Sequence, residues 1–77
     1  MATFTITSIS TVNNESATVI SKDDIGSEYT HIIDYKFVEN WFYTENGYSK
    51  KHELRAGAKY EITNKVKHIL CIKFIEQ

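Results

Sequence analysis

The sequence predicts a small all-β fold, an antiparallel sandwich or barrel of about six to seven short strands, and three observations predict it. Apolar and polar residues alternate through most of the chain, which is the period of a half-buried strand. Turn-forming residues recur at close spacing between these segments. Proline is absent, so no position lacks a backbone N–H for a sheet ladder. With 77 residues, the chain is expected to form one domain, residues 1–77.

The first two strands follow from β-branched and apolar residues near the start of the chain. Phe4 and Ile6 alternate with threonines. Ile9 breaks this phase, so we expect a bulge or bend near Ser8. A turn at residues 13–15 leads into a second strand over residues 17–22, and residues 23–27 form a loop.

The third strand carries the longest in-phase apolar row in the first half of the chain. The row consists of Tyr29, His31, Ile33, Tyr35 and Phe37. A histidine on such a face is expected to be hydrogen-bonded, in the core or at its boundary. Phe37, Val38 and Trp41 also fit the spacing of a helical face. The alternative is therefore an α+β fold with one short helix near residues 36–44.

A hairpin is predicted around Asn46-Gly47, because a two-residue type I′ turn needs positive φ at both central positions. The register of this turn pairs Glu45 with Tyr48, Tyr43 with Lys50, and Trp41 with His52. Because side chains alternate along strands, one face of the hairpin collects aromatic and basic residues. These candidate binding residues are Trp41, Tyr43, Tyr48, Lys50 and His52. Trp41 has a second interpretation, as a core residue.

The last part of the chain predicts a turn at residues 55–58, a strand over residues 59–63 and a turn at Asn64 and Lys65. A closing strand runs from residue 67 to residue 75 and is apolar on both faces. Such a strand is typically buried on two sides. We therefore expect it in the centre of the sheet, or in a place where a barrel or a partner covers its second face.

One local pattern, Leu54-x-x-Gly57-x-x-Tyr60-x-Ile62, resembles the segment before the penultimate strand of fibronectin type III and immunoglobulin-like domains. The resemblance covers residues 54–62 alone. It implies that Leu54 packs in the core and that Tyr60 closes a corner of the fold.

Residues that carry chemistry are sparse in this sequence. No glycine-rich phosphate loop or nucleophile elbow is present, and the histidines and Cys71 do not have the spacing of a zinc site. Asp23-Asp24 is expected to be solvated, and Cys71 to be a small buried hydrophobic residue. We therefore predict no enzymatic activity, no cofactor and no metal. A single cysteine, without a signal peptide or a membrane-spanning stretch, favours a cytoplasmic location, in the host cytoplasm if the protein is viral.

Charge is distributed unevenly along the chain, although the net charge is −1. Residues 1–45 contain seven acidic residues against two lysines, a net of −5. Residues 46–77 contain seven basic against three acidic residues, a net of +4. Either the two halves attract each other within the fold, or the molecule presents two charged ends to a partner or to a second copy.

These features predict a non-enzymatic protein–protein binding module that contacts its partner through the aromatic hairpin or an exposed strand edge. A small inhibitor or adaptor of the kind that phages and mobile elements encode fits this description, and so does a homodimer. The alternative is a small β-barrel that binds single-stranded nucleic acid, since aromatic and basic residues share the hairpin.

Overall fold

The computed structural model describes residues 3–39, 41–44, 47–50 and 54–75. Over these residues the chain forms seven β-strands and one turn of 3-10 helix, which confirms the predicted small all-β fold. The strands are β1 Thr3–Val12, β2 Ser16–Lys22, β3 Glu28–Asp34, β4 Trp41–Thr44, β5 Gly47–Lys50, β6 Lys59–Val66 and β7 Ile69–Ile75. The 3-10 turn, Tyr35–Phe37, follows β3.

Five of the strands form one antiparallel sheet in the order β3-β2-β1-β6-β7, and β4 pairs with β5 in a separate two-stranded ladder. The two edge strands, β3 and β7, also contact each other. Beyond the end of β3, Val38 forms a parallel bridge with Ile72 of β7, and the N–H of Glu39 donates to the carbonyl of Ile72 at 2.9 Å. The sheet therefore folds back on itself, and its two edges meet beyond the end of β3.

The core is built from the inward-facing residues of the large sheet and from the segment that follows β3. Its buried hydrophobic members are Phe4, Ile6, Ala17, Val19, Ile33, Tyr35, Val38, Trp41, Leu54, Ala58, Tyr60, Ile72 and Phe74. In β2 the buried positions are every second residue, as the alternation in the sequence predicts. The buried position of Leu54 confirms what the local resemblance implied for it.

The predicted bulge in β1 is confirmed. The β1–β2 register shifts between Ile6 and Ser8, and this shift returns Ile9 to the side of the core, opposite Val19. Next to the bulge, the N–H of Gly57 donates to the carbonyl of Ile6 at 2.7 Å. Gly57 has φ +93, a conformation that residues with a Cβ rarely adopt, so glycine allows this turn to close on β1.

The predicted helix near residues 36–44 is wrong, because β3 gives way to a single 3-10 turn and β4 begins at Trp41. The Asp34 carboxylate accepts a hydrogen bond from the N–H of Lys36 at 3.1 Å and so caps the turn. This turn also ends the alternating row at the end of β3. Tyr35 is nevertheless buried, since the turn directs its ring back into the core.

The predicted turn at Asn64 and Lys65 is also wrong. β6 continues to Val66, which pairs with Ile69 across a turn at residues 67–68. The polar residues that suggested a turn instead follow a bulge, where the β6–β7 register shifts between Ile62 and Asn64. The Thr63 hydroxyl at this bulge donates to the carbonyl of Cys71 at 3.1 Å. A bulge and a turn both admit polar residues, and only the pairing distinguishes them.

β7 lies at the edge of the five-stranded sheet, so the first predicted position, the centre of the sheet, is wrong. The second, a place where a barrel or a partner covers its other face, remains a prediction. Its inward residues Ile72 and Phe74 are buried, whereas on the other face Cys71 is half-buried and Ile69 is exposed. The two apolar faces of β7 are therefore covered to different extents, and the strand pairs with β6 along one edge and with Val38 at a single bridge on the other.

The hairpin register differs from the predicted one by two residues. β4 and β5 pair Trp41 with Lys50, Phe42 with Ser49, Tyr43 with Tyr48 and Thr44 with Gly47. Because a shift of two residues preserves the alternation, the odd positions of β4 still lie opposite the even positions of β5. The predicted turn includes Asn46, which lies outside the described residues, as does His52.

Candidate binding surface

A buried hydrogen-bonded cluster connects three strands of the sheet. The hydroxyl of Tyr60 lies 2.8 Å from Oγ of Ser21 and 2.6 Å from Nδ1 of His31. Tyr60 and Ser21 are fully buried, and His31 is half-buried. The phenol has one proton and donates in only one of these bonds, so the other partner donates to it. His31 is thus a hydrogen-bonded residue at the core boundary, as predicted, while Tyr60 spans the sheet interior instead of closing a corner.

The surroundings keep the members of this cluster uncharged. Burial lowers the pKa of His31, because an imidazolium would lose hydration there. Burial also raises the pKa of Tyr60 more strongly than the hydrogen bond with Ser21 lowers it. At neutral pH the cluster therefore consists of a neutral imidazole, a phenol and an alcohol, which fits a structural role in the core.

A continuous row of aromatic rings crosses the core from this cluster. His31 packs edge-on against Phe4 with centroids 4.9 Å apart, and Phe4 stacks on Tyr60 at 5.6 Å. Tyr60 meets Phe74 at 6.0 Å. The row ends at Trp41, whose ring stacks on Phe74 at 5.4 Å with an interplanar angle of 9°. Trp41 is one of the residues that the sequence predicted as a binding anchor.

Trp41 therefore belongs to the core, which is the second of the two interpretations that the sequence left open. Its ring also lies 4.6 Å from the ring of Tyr35, and the residue is 6% exposed. For Tyr43, Tyr48 and Lys50, the other candidates within described strands, the structure gives ladder positions alone. The binding role proposed for these three residues and for His52 remains a prediction from the sequence.

The loop between β2 and β3 uses one of its two aspartates to organise itself. Oδ1 of Asp23 accepts hydrogen bonds from the N–H groups of Ile25 and Ser27 at 3.1 and 2.9 Å. Oδ2 accepts a bond from the Tyr29 hydroxyl at 3.0 Å. Desolvation raises the pKa of Asp23, but these hydrogen bonds outweigh it and hold the pKa below its usual value. Asp23 is thus the organising residue of this loop, a role that the expectation of simple solvation missed.

A groove runs between β3 and the end of the β6–β7 hairpin, where the two edges of the sheet separate. We call it the β3 groove; its volume is about 340 Å³. It is lined by Thr30, His31, Ile32, Lys65, His68 and Leu70. Ile32 is 63% exposed, while Leu70 is half-buried and packs against the core. The groove thus combines an aliphatic wall with basic and imidazole side chains.

On the outward face of β1, β2 and β3, two adjacent rows of paired residues contain no charged side chain. We call these rows the uncharged face; they are Ser8–Ile20–Thr30 and Thr11–Thr18–Ile32. Charged residues of β2 and β3 border it at either end, with Lys22 and Glu28 on one side and Asp34 on the other. Thr30 and Ile32 belong both to this face and to the β3 groove, so the two surfaces are continuous across the edge of β3.

Groups that could support chemistry do not assemble elsewhere in the described part of the chain. Within residues 3–39, 41–44, 47–50 and 54–75, no three histidine, cysteine or acidic side chains come together as metal ligands. Cys71 is a half-buried free thiol on β7. No described helix has the length and hydrophobicity needed to cross a membrane. Comparison with known protein-family models, with curated proteins and with solved structures finds no match to this chain.

Sequence reasoning identified none of the residues of the β3 groove as a surface site, and it predicted His31 only as a hydrogen-bonded residue of the core or its boundary. They come from two segments that are more than thirty residues apart, residues 30–32 and 65–70. One local signal was available, since Ile32 is a large aliphatic residue in the polar phase of the third strand. An apolar residue on an otherwise polar strand face indicates either a covered face or a contact surface.

Proposed function

We propose that the protein is a non-enzymatic module that binds another protein through the edge of β3 and the adjoining uncharged face. The observation that carries this proposal is the position of Ile32, a largely exposed aliphatic side chain at the junction of the β3 edge, the β3 groove and the uncharged face. Surfaces with an apolar centre and few charges are typical of protein contacts.

The edge of β3 supports the proposal through its backbone. Among the described residues, β3 forms a ladder with β2 alone. Exposed edge strands are commonly protected by proline, by a bulge or by charged residues in the middle of the strand. β3 contains no proline, its register with β2 shows no shift, and its acidic residues, Glu28 and Asp34, are its first and last. This edge can therefore accept a strand from another chain.

The proposal differs from the sequence prediction in the surface that it assigns to the contact. A buried Trp41 cannot anchor a partner without leaving the core, whereas Ile32 is already exposed. The sequence predicted contact with a partner through the aromatic hairpin or through an exposed strand edge, and we propose the strand edge. The inhibitor or adaptor role and the cytoplasmic location remain predictions from the sequence.

Site-specific photo-crosslinking tests this assignment. Ile32 is replaced by p-benzoylphenylalanine, and the protein is irradiated in a lysate of the source organism. Ile25, which is 86% exposed in the loop after β2, receives the same replacement as a matched control. We expect a discrete crosslinked species from position 32 and none of that mass from position 25, and mass spectrometry identifies the partner.

Competition then separates specific from adventitious capture. Excess unlabelled wild-type protein is expected to abolish the crosslink, whereas excess Ile32→Lys protein is not. Because Ile32 is exposed, the substitution should leave the thermal unfolding midpoint nearly unchanged. Equal crosslinking from positions 25 and 32, or equal competition by the two proteins, would overturn the proposal. A crosslinked nucleic acid in place of a protein would support the alternative function.

A further inference from the structure

We propose that the β3 groove receives an extended acidic segment of the protein partner, with Lys65 and His68 holding a side-chain carboxylate and Leu70 and Ile32 packing an adjacent aliphatic side chain. This inference rests on the proposed function, since it names the chemistry of the partner that the β3 edge binds. It adds a ligand class and the residues that would recognise it.

The charges around the β3 groove suit an acidic ligand. Among the described residues that line the groove there are one ammonium group and two imidazole rings, and no carboxylate. Lys67, at the turn of the β6–β7 hairpin, adds a second exposed cation close to Lys65 and His68. The acidic residues of β3, Glu28 and Asp34, lie two positions beyond either end of the lining segment 30–32. A carboxylate entering the groove therefore meets cationic and hydrogen-bonding groups.

Contacts with the core fix the imidazole ring of His31. Nδ1 lies 2.6 Å from the Tyr60 hydroxyl, and the ring is held edge-on against Phe4 and stacked on Tyr29 at 5.6 Å. These contacts fix the orientation of the imidazole at the side of the groove. An orientation fixed in advance reduces the entropy lost on binding, so His31 provides a rigid wall beside the more exposed Lys65 and His68.

The groove combines the edge of β3 with an aliphatic wall, and this combination suits an extended peptide. An extended segment beside β3 would alternate its side chains between the groove and the solvent. Leu70 and Ile32 provide apolar surface for one side chain, and Lys65 provides a charge for another. Single-stranded nucleic acid instead requires a track of cations and exposed aromatic faces. A peptide that carries an acidic and an aliphatic residue two positions apart, on the side that faces the groove, matches this lining more closely.

Fluorescence polarisation with defined peptides tests the inference. The probe is fluorescein-labelled Ser-Asp-Ser-Val-Ser-Asp-Ser-Val, in which Asp and Val follow each other on one side of an extended chain, and the comparison probe replaces each Asp with Asn. We expect saturable binding of the acidic probe at low ionic strength and binding of the Asn probe that is at least about tenfold weaker, since each charge-assisted contact is lost. Lys65→Glu should weaken the acidic probe by about tenfold or more, because it reverses the charge at the groove.

Matched variants make the result specific to the groove. Lys36→Glu reverses the charge of an exposed lysine on the 3-10 turn, outside the groove lining, and is expected to change the affinity by less than about twofold. His68→Gln removes the imidazole at an exposed position and should weaken the acidic probe as Lys65→Glu does, to a smaller extent. Thermal melts confirm that each variant is folded before its affinity is measured.

Three outcomes would overturn the inference: no saturable binding of the acidic probe, equal affinities for the two probes, or equal effects of Lys65→Glu and Lys36→Glu. Tighter binding of an oligothymidylate, lost in Lys65→Glu, would also overturn it in favour of nucleic acid. Crosslinking from position 32 separates the two proposals. If that crosslink persists while the peptide fails to bind, the acidic ligand is wrong and the protein-binding edge stands; if both fail, both are wrong.

Discussion

The hydroxyl of Tyr60 on β6 lies 2.6 Å from Nδ1 of His31 on β3, although two strands, β1 and β2, separate β6 from β3 along the hydrogen-bonded order of the sheet. This bond spans the interior and ties the core to the strand that borders the groove. Ser21, on β2, completes the cluster at 2.8 Å from the same hydroxyl. The position of the binding edge is therefore coupled to a buried polar contact.

Removing the phenol oxygen should destabilise the protein. We expect Tyr60→Phe to lower the free energy of unfolding by about 1–3 kcal/mol, because Ser21 and the imidazole lose a partner inside the core. Urea unfolding followed by circular dichroism measures the difference. Tyr29→Phe, which removes an exposed hydroxyl on the neighbouring ring, is the control and should cost less. Equal losses in the two variants would contradict this prediction.

Stability should fall as the solution becomes mildly acidic. Burial holds the pKa of His31 below its unfolded value of 6.5, so the unfolded chain binds more protons than the folded one below that pH. The contribution of His31 is therefore complete above about pH 7 and is lost as the pH falls through about 6.5 towards the lower, folded-state pKa. Urea titrations between about pH 8 and pH 5 measure this slope.

Two substitutions test whether His31 causes that slope. His31→Gln should flatten the pH dependence in this window, whereas Ile25→Ala, a control that changes no titratable group at a largely exposed loop position, should leave it in place. A slope that persists in His31→Gln would show that the titrating group lies outside the buried cluster. Asp23, whose hydrogen bonds hold its pKa below the usual value, titrates below this window and does not interfere.

Trp41 should behave as a core residue when it is truncated. We expect Trp41→Ala to lower the free energy of unfolding by about 3–5 kcal/mol, because the ring packs between Tyr35 and Phe74. Ile25→Ala, at a largely exposed loop position, should change it by less than about 0.5 kcal/mol. Differential scanning calorimetry compares the three proteins. A Trp41→Ala protein as stable as wild type would restore Trp41 as a surface anchor.

The turn between β6 and β7 holds a lysine in a conformation that favours glycine. Lys67 has φ +58, in the left-handed region that costs a residue with a Cβ about 1–2 kcal/mol. We expect Lys67→Gly to raise the free energy of unfolding by about 0.5–1 kcal/mol, since the relief of strain exceeds the entropy that glycine gains in the unfolded chain. Chemical denaturation provides the measurement.

A strand position supplies the control for that substitution. Lys73→Gly places glycine within β7, where the backbone is extended and relieves no strain, so the free energy of unfolding should fall by about 0.5–1 kcal/mol. If both glycine variants change stability in the same direction, the strain at position 67 does not explain the effect.

Several local features of the fold were predictable from the sequence because they depend on nearest neighbours. The break in alternation at Ile9 predicted the bulge that the β1–β2 register shows, and Gly57 marked the turn at residues 55–58. The β6–β7 hairpin was less predictable. Its polar segment around Asn64 follows a bulge and not a turn. Only the strand pairing shows this difference, since Ile62 lies opposite Ile72 and Asn64 lies opposite Cys71.

By itself, the sequence determined the β-rich character of the protein, its alternating core positions and the placement of His31 at the core boundary, because φ/ψ preference and side-chain alternation are local properties of the chain. Only the tertiary structure decided which side chains meet. It placed Trp41 between Tyr35 and Phe74, moved the closing strand to the sheet edge, and brought residues 30–32 next to residues 65–70. Such contacts between distant segments arise from the packing of the whole sheet, and no local pattern encodes them.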